Sequence, residues 1–551
     1  MLSSGTLNKF SRRRGAKRLK EIFMNLPNVT RRTFLAGSAA TAGVAALGLA
    51  GCGSNSNSGS GSSSTSNTKA AAKTITAAPA YSSTSYSPIG NSSAVMLAAT
   101  WHVFEGLYDL DLHDYKPYAA LASGEPTKVS DTEYEVTIRS GAKFSDGTAV
   151  TADDVVNAFE KNIANDTYGA FLSFIDTVSA KDDTTVTFKL KYAFEALLKG
   201  RLSVVKIFPK SQTEDELKKM PIGSGPWKYE SINGDDGGTI KFVKNDEYNG
   251  PKKAENDEME WNILLDNTSR TTAVTSGSAV AIENVPDSNA DQISNSGMTV
   301  EYVPGFALPF LMFNCKKAPF DNPKVRQAFF YAIDVDKLIS NQMAGHANAA
   351  TSFLPETYAN YHKASTVFSY DPEKAKALLA EAGQSSISCE LMVNNNWVKN
   401  LAAQIQSDLS AVGIEVTINE TKIDWASLAP SENILPYDVM LTPGDPSCFG
   451  NDPDLLMTWW YGDNVWTQGR SCWKGTAEHT ELLGLLQQAR EAKSSDQQEI
   501  WNKCFDLIAE NCPIYPLFHR ETGTAYDSSK LEGFSGIGTT GLVFLGAKAT
   551  E

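Results

Sequence analysis

From Lys73 onward, short strand patterns alternate with longer helical ones. Tyr134-Glu135-Val136-Thr137-Ile138-Arg139 places an apolar side chain at every second position, the period of a half-buried strand, and Ser140-Gly141 turns it. Phe144-Ser145-Asp146-Gly147 is a second tight turn. Thr151 offers a hydroxyl N-cap with Asp154 three residues on, which predicts a helix start before Val155, Val156, Ala158 and Phe159. Val186, Phe188 and Leu190 alternate as another strand. Asp321-Asn322-Pro323 caps a helix with Val325, Ala328, Phe329, Ala332 and Ile333 on its apolar face. Asp371-Pro372 opens one carrying Ala375, Leu378 and Leu379, and Gly383 stops it. Leu401, Ile405, Leu409 and Val412 share a helical face that Gly413 ends, and Ile414, Val416 and Ile418 alternate beyond it. A helix leading into a strand is half of a βαβ unit, so the chain is predicted α/β with a partly parallel sheet. Gly223-Ser224-Gly225-Pro226 and Pro304-Gly305 mark the passages between its compact parts.

The front end differs. Thr30-Arg31-Arg32-Thr33-Phe34-Leu35 looks like a twin-arginine export signal, followed by a short Ala/Gly-rich apolar stretch. Leu49-Ala50-Gly51-Cys52 resembles a bacterial lipobox, in which Cys52 receives the lipid after cleavage. Met24 is a more natural start than Met1. Residues 53–68 form a Ser/Gly/Asn tether with a root-mean-square reach of about 20–24 Å. The chain of 551 residues carries a formal charge of −15. Its first 52 residues hold nine of the 49 Lys/Arg and one of the 64 acids, so the remainder stands at −23. A body so acidic is a poor partner for nucleic acid or anionic lipid, which leaves the lipid on Cys52 as the sole membrane attachment. A mean hydropathy of −0.27 excludes a polytopic membrane protein.

Five stretches then carry a resemblance: VTIRSGAKFSDGTAVTADDVVNAF (136–159), GSGPWKY (223–229), FNCKKAPFDNPKVRQAFFYAIDVDKLI (313–339), DPEKAKALLAEAG (371–383) and YDVMLTPGDPSCFGNDPDLL (437–456). Together they resemble the family 5 extracellular solute-binding proteins, the oligopeptide- and dipeptide-binding components of bacterial ABC importers. The resemblance implies a two-lobed, class II periplasmic-binding-protein-like α/β fold with mixed sheets and an additional subdomain on the first lobe. Residues 74–105, 222–302 and 513–551 would form lobe I, 106–221 the subsidiary domain and 303–512 lobe II. It further implies a monomer outside the cytoplasm that captures peptides or similar small polar solutes between its lobes and hands them to ABC permease subunits. The alternatives are a receptor of the same fold for a nickel complex, haem, an opine or a sugar, and an extracellular hydrolase.

Nothing in the sequence carries catalysis. There is no nucleophile elbow, HExxH, phosphate loop or CxxC pair, and the six histidines lie far apart. No catalytic residue, metal ligand or cofactor is therefore expected. Six of the ten tryptophans fall within residues 394–473. There Trp397 and Trp460, beside polar loops with Asn394 and Asn395, read equally as cleft wall and as core, while Trp425 and Trp473 read as core. Peptide-binding relatives hold the ligand's ammonium with an Asp in the loop after the strand equivalent to Tyr437–Leu441. The matching position here is Phe449, three before Asp452, so Asp445 on its Gly-Asp-Pro turn is the nearest substitute and Asp452 the next. With Cys52 set aside, six cysteines remain. Cys504 and Cys512 bracket a helical run of ~12 Å, too far to bridge. Cys448 and Cys472 flank a segment read as loop and form the expected disulfide.

Overall fold

Strand Thr74–Ala78 pairs in parallel with Glu258–Asn262 on one side and Ala281–Glu283 on the other. Around it an eight-stranded sheet runs in the order Thr299–Pro304, Phe518–Tyr526, Ala281–Glu283, Thr74–Ala78, Glu258–Asn262, Thr239–Lys244 and Trp227–Ile232, with Ala347–Ala349 also against Phe518–Tyr526. The computed structural model describes residues 73–395, 397–420 and 436–550; Arg31, Arg32, Cys52, the tether and Trp425 lie outside them.

A second sheet of five strands follows the order Ile414–Asn419, Ile387–Val393, Val439–Gly444, Leu308–Phe313 and Ile514–Pro516. Its parallel part is the expected βαβ unit, now complete. Helix Lys399–Ser410 buries Leu401, Ile405 and Leu409, and Gly413 at φ 86° lets the chain return so that Ile414 aligns with Ile387. Because Ile387–Val393 and Val439–Gly444 run in parallel, the loops at 394–398 and 445–449 emerge at the same carboxyl edge of the sheet.

Four antiparallel strands, Thr127–Ser130, Glu133–Thr137, Thr185–Leu190 and Ile175–Ala180, make a third, smaller sheet. Tyr134 and Val136 face Phe188 and Val186 on its buried side, which accounts for the alternation. Helix Ala152–Ile163 covers it through Phe159, whose ring centroid lies 4.9 Å from that of Phe188. Its start is the predicted reciprocal cap. Thr151 Oγ1 accepts the Asp154 N–H at 3.4 Å, and Asp154 Oδ2 accepts the Thr151 N–H at 2.9 Å. Helix Pro323–Ala332 is capped by Asn322, and helix Pro372–Glu381 by Asp371.

The chain passes between the two large sheets twice, after Pro304 and at Leu517. The passages lie side by side: Leu517 N–H donates to the Pro309 carbonyl at 2.9 Å and Arg520 N–H to that of Ala307 at 2.8 Å. The first was expected at Pro304-Gly305. A side chain at Gly305 would place its Cβ 1.6 Å from the Gly538 carbonyl oxygen, so the C-terminal segment can lie against the passage only because residue 305 is glycine. The return falls later than 513, because Ile514–Pro516 still pairs with Leu308–Phe313.

The expected Cys448–Cys472 bridge is not formed. The segment between them is not loop: it holds helix Pro453–Tyr461. All six described cysteines are free thiols, with Cys448 Sγ donating to the Asp445 carbonyl and Cys472 Sγ to that of Arg470. Cys504 lies inside helix Ser494–Asn511 and Cys512 caps its end. No helix among the described residues is long and apolar enough to cross a membrane.

Candidate functional site

The loops at the carboxyl edge of the five-stranded sheet face the eight-stranded one, and Asp445 stands at the centre. Its carboxylate does not point outward with free lone pairs, as the ammonium reading requires. Oδ1 accepts from Ser447 N at 3.1 Å and Ser447 Oγ at 2.5 Å. Oδ2 accepts from Thr539 Oγ1 at 2.8 Å, Thr540 N at 2.9 Å and Thr540 Oγ1 at 3.4 Å. Burial raises its pKa, and these hydrogen bonds pull the other way. Asp445 is thus a latch from the lobe of the five-stranded sheet to the C-terminal segment beside the other.

Asp452 is engaged as well. Its Oδ1 caps helix Pro453–Tyr461 through Leu455 N at 2.9 Å and takes Arg201 Nη2 at 2.6 Å. The same guanidinium reaches Asp454 Oδ2 at 2.7 Å, and Arg490 Nε meets Asp454 Oδ1 at 2.8 Å. Arg201 and Asp454 are only 1% and 2% exposed, so this is a buried ionic cluster tying the segment around residue 200 to the second lobe. Desolvation raises the Asp452 pKa and Arg201 lowers it. Both oxygens of Asp445 and Oδ1 of Asp452 are thus committed to protein partners.

A different group faces the cleft from the eight-stranded sheet. Arg520, on Phe518–Tyr526, donates to Asn284 Oδ1 at 2.6 Å and the Val285 carbonyl at 3.3 Å, with Asp287 at 3.5 Å. Trp397 crosses from the other lobe to cover it, ring centroid 5.1 Å from the guanidinium carbon. Asn395 positions that ring: its Oδ1 accepts the Trp397 N–H at 3.1 Å and its carbonyl the Lys399 N–H at 3.2 Å. Asn394 N–H donates to the Leu441 carbonyl at 3.3 Å, binding the loop to the neighbouring strand. Tyr81 lies in the field of Glu283, Arg520, Arg270 and Asp445, and burial raises its hydroxyl pKa to about 12. Burial likewise raises the pKa of Glu283 and Asp287. Arg520 Nε is buried with no acceptor, the Tyr115 and Tyr358 hydroxyls lie against each other and Ser447, and the Asp287 carboxylate lies against the Tyr302 hydroxyl. Polar groups from both lobes and the subsidiary segment thus converge, which suits a small polar solute.

Trp460 stands behind this wall. It is 1% exposed, stacks on Phe306 and packs beneath Gly444, where a Cβ would approach it to 2.7 Å. It is floor rather than contact surface. Beyond Phe449 and Cys448 lies a cavity of about 120 Å³, lined by Met96, Leu97 and Trp101, by Leu110–His113 and by Val543 and Leu545. Its charges pair with one another, Lys252 with Asp111 at 3.2 Å and Lys206 with Asp109, so its wall is part polar and part apolar. Among the described residues no three of His, Cys, Asp and Glu gather as a metal site. Sequence reasoning named none of Arg520, Asp287, Glu283, Tyr81, Tyr115 or Tyr358. Arg520 alone left a trace, as a lone cation within the otherwise weakly charged IYPLFHRETGTAY.

A family profile described as "Bacterial extracellular solute-binding proteins, family 5 Middle" matches residues 116–473. The glutathione-binding protein GsiB of Pectobacterium atrosepticum is 29% identical over 505 residues, covering 87% of this chain and 95% of its own. The fold is similar to DppA of Helicobacter pylori in complex with the peptide STSA, with a TM-score of 0.77 at 22% identity over 87% of this chain and 98% of that one. It is also similar to NikA of Staphylococcus aureus in complex with Ni(L-His)2, with a TM-score of 0.74 at 18% identity over 87% and 100%. At such identities the two structures speak for the two-lobed architecture alone.

Proposed function

The chain belongs to the bacterial extracellular solute-binding proteins of family 5, and on that premise we propose that it is the receptor of an ABC importer, taking a peptide or similar small polar solute between its lobes and delivering it to the permease. The observation that carries this reading is the cleft itself. Two lobes joined by two adjacent passages place buried polar groups from both sides opposite one another, Arg520, Asp287 and Glu283 from one and Asp445 and Tyr358 from the other. Lobe rotation about the passages admits and encloses the solute, driven by contacts made to both walls at once. No bond is made or broken.

The relatives' named ligands, glutathione among them, set the first solutes to try. Titration calorimetry with glutathione and with di- and tripeptides, paired with small-angle scattering, tests the reading; binding that contracts the particle is expected, and no contraction with any bound solute refutes it. The engagement of Asp445 and Asp452 favours a second possibility, a solute that is not held by a free amino terminus at that loop. Export through Arg31-Arg32 and a lipid on Cys52, which rest on the sequence motifs, and a monomeric state, which rests on the family resemblance, complete the proposal. Cys52→Ser should release the protein into the medium or leave an unprocessed precursor, and an unchanged membrane fraction of mature size refutes the anchor.

A further inference from the structure

Arg201 is buried, and the acids it meets lie across a boundary. The subsidiary segment that carries it, residues 106–221, is fastened by backbone to the lobe of the eight-stranded sheet. Ile207 N–H donates to the Glu105 carbonyl and Ser145 N–H to that of Gly223, both at 2.9 Å. Arg139 adds a forked grip on Glu105, Nη1 and Nη2 each 2.8 Å from a carboxylate oxygen. Toward the lobe of the five-stranded sheet no backbone hydrogen bond leaves this segment, among the described residues. Side chains alone make that contact. Phe171 stacks on Trp459 with centroids 5.7 Å and planes 14° apart, and Tyr168 meets Phe449 edge-on at 5.2 Å. Arg201 Nη2 gives one hydrogen bond to Asp452 and one to Asp454. A face held by side chains can part cleanly when the lobes rotate, as one held by a strand ladder cannot.

The charges are arranged for such a parting. Asp454 keeps Arg490 at 2.8 Å within its own lobe, and Asp452 keeps the Leu455 N–H at 2.9 Å as its helix cap. Arg201 has no second partner of that kind among the described residues: its acceptors are the two acids across the boundary, and its buried Nε has none. Opening therefore strands neither acid and returns one guanidinium to water, while closing draws that guanidinium between two carboxylates already in place.

We infer that Arg201 is the clasp of the closed molecule: by joining Asp452 and Asp454 it gives the chain a closed population even without a solute. This rests on the lobe rotation proposed above and adds what sets its balance. The clasp lies outside the polar groups of the cleft, so it favours no solute over another. A binding-competent fraction held up in this way tightens the apparent affinity for every solute by one common factor.

The test is single-molecule energy transfer on the mature chain without solute. The dyes sit on azide-bearing residues introduced at exposed Asp183, on the subsidiary segment, and exposed Glu481, on the other lobe. Wild type should exchange between a short and a long distance, and the long one should gain as KCl rises from about 0.05 to 1 M, because salt screens the parted charges far more than the buried ones. Arg201→Gln should raise the long-to-short ratio about 30-fold or more and flatten its response to KCl, as for truncation of one member of a buried charge pair. Arg201→Lys keeps the charge and should fall between the two, an ordering that a packing defect does not produce. Wild type at a single distance under all salts, or an unchanged ratio in a folded Arg201→Gln, overturns the clasp and leaves the solute reading to its own titration. Glutathione and a tryptic digest of casein are then added as probes. Exchange that follows Arg201 but ignores both probes upholds the clasp and counts against the proposed solutes, whereas a shift to the short distance supports both readings.

Discussion

Replacing Asp445 by alanine separates a latch from a ligand anchor. The substitution removes all five hydrogen bonds to the carboxylate and strands two backbone donors, Ser447 N and Thr540 N. The Ser and Thr hydroxyls can turn to other partners, but the amides cannot. At about 1–3 kcal/mol for each stranded donor the gross loss is about 2–6 kcal/mol. Part of it is recovered because a carboxylate held in burial, as its raised pKa records, no longer has to be desolvated. We expect a net cost of about 2–4 kcal/mol, concentrated where the C-terminal segment meets the loop. Melting is a weak readout, since about 480 residues at ~2.1 cal/mol/K each give an unfolding entropy near 1 kcal/mol/K and a shift of only about 2–4 °C. Amide hydrogen exchange resolves it. Protection at Thr540 should fall about 30- to 900-fold while the amides of Thr74–Ala78 keep theirs. Unchanged protection at Thr540 refutes the latch. Loss of solute binding with that protection intact would return Asp445 to the role of ammonium anchor.

Three further outcomes are expected. Asp454→Ala leaves the buried Arg201 and Arg490 without their shared acid and should cost about 3–5 kcal/mol in denaturant unfolding; a loss under 1 kcal/mol contradicts the cluster's assignment as buried. Burial holds His102 and His519 at about 4, below the ordinary 6.5, so the unfolded chain takes up their protons first and stability is lost as pH falls from about 6.5 toward 4, by about 3 kcal/mol per histidine. His102→Gln, which can still accept the Phe544 N–H now bound to Nε2 at 2.9 Å, should roughly halve that loss, and an unaltered pH profile counts against it. Alkylation in denaturant without reductant should label all six cysteines from Cys315 to Cys512; fewer labels mean a disulfide exists.

What was legible in the sequence was local. The Thr151–Asp154 cap, the alternation of Tyr134 and Val136, and the run from Leu401 through Gly413 to Ile414 each need only neighbours along the chain, and each is found in the structure. The candidate site failed for the converse reason. Asp445 finds Thr539 across 94 residues and Asp452 finds Arg201 across 251, and spacing within one loop cannot report such partners. A Gly-Asp-Pro turn looks the same whether its carboxylate faces a ligand or a threonine. The cysteines went astray through one misread element, since a helix at Pro453–Tyr461 starting on Asp-Pro was taken for loop. Arg520 and Asp287, 233 residues apart in the chain, are brought together by a strand and the turn after another strand, a juxtaposition made by the sheet.

The two passages at Gly305–Ala307 and Leu517 have a mechanical consequence. A single linker would let one lobe swivel, tilt and slide against the other. Two backbones cross-tied by the Leu517–Pro309 and Arg520–Ala307 hydrogen bonds resist twist and shear, because either would have to stretch those ties. What stays soft is bending across the ribbon, about one axis. Any rotation of the lobes about these passages would follow a single angular coordinate, so one distance between a probe on each lobe would follow it. To the permease proposed above, that angle would be the signal of whether a solute is held.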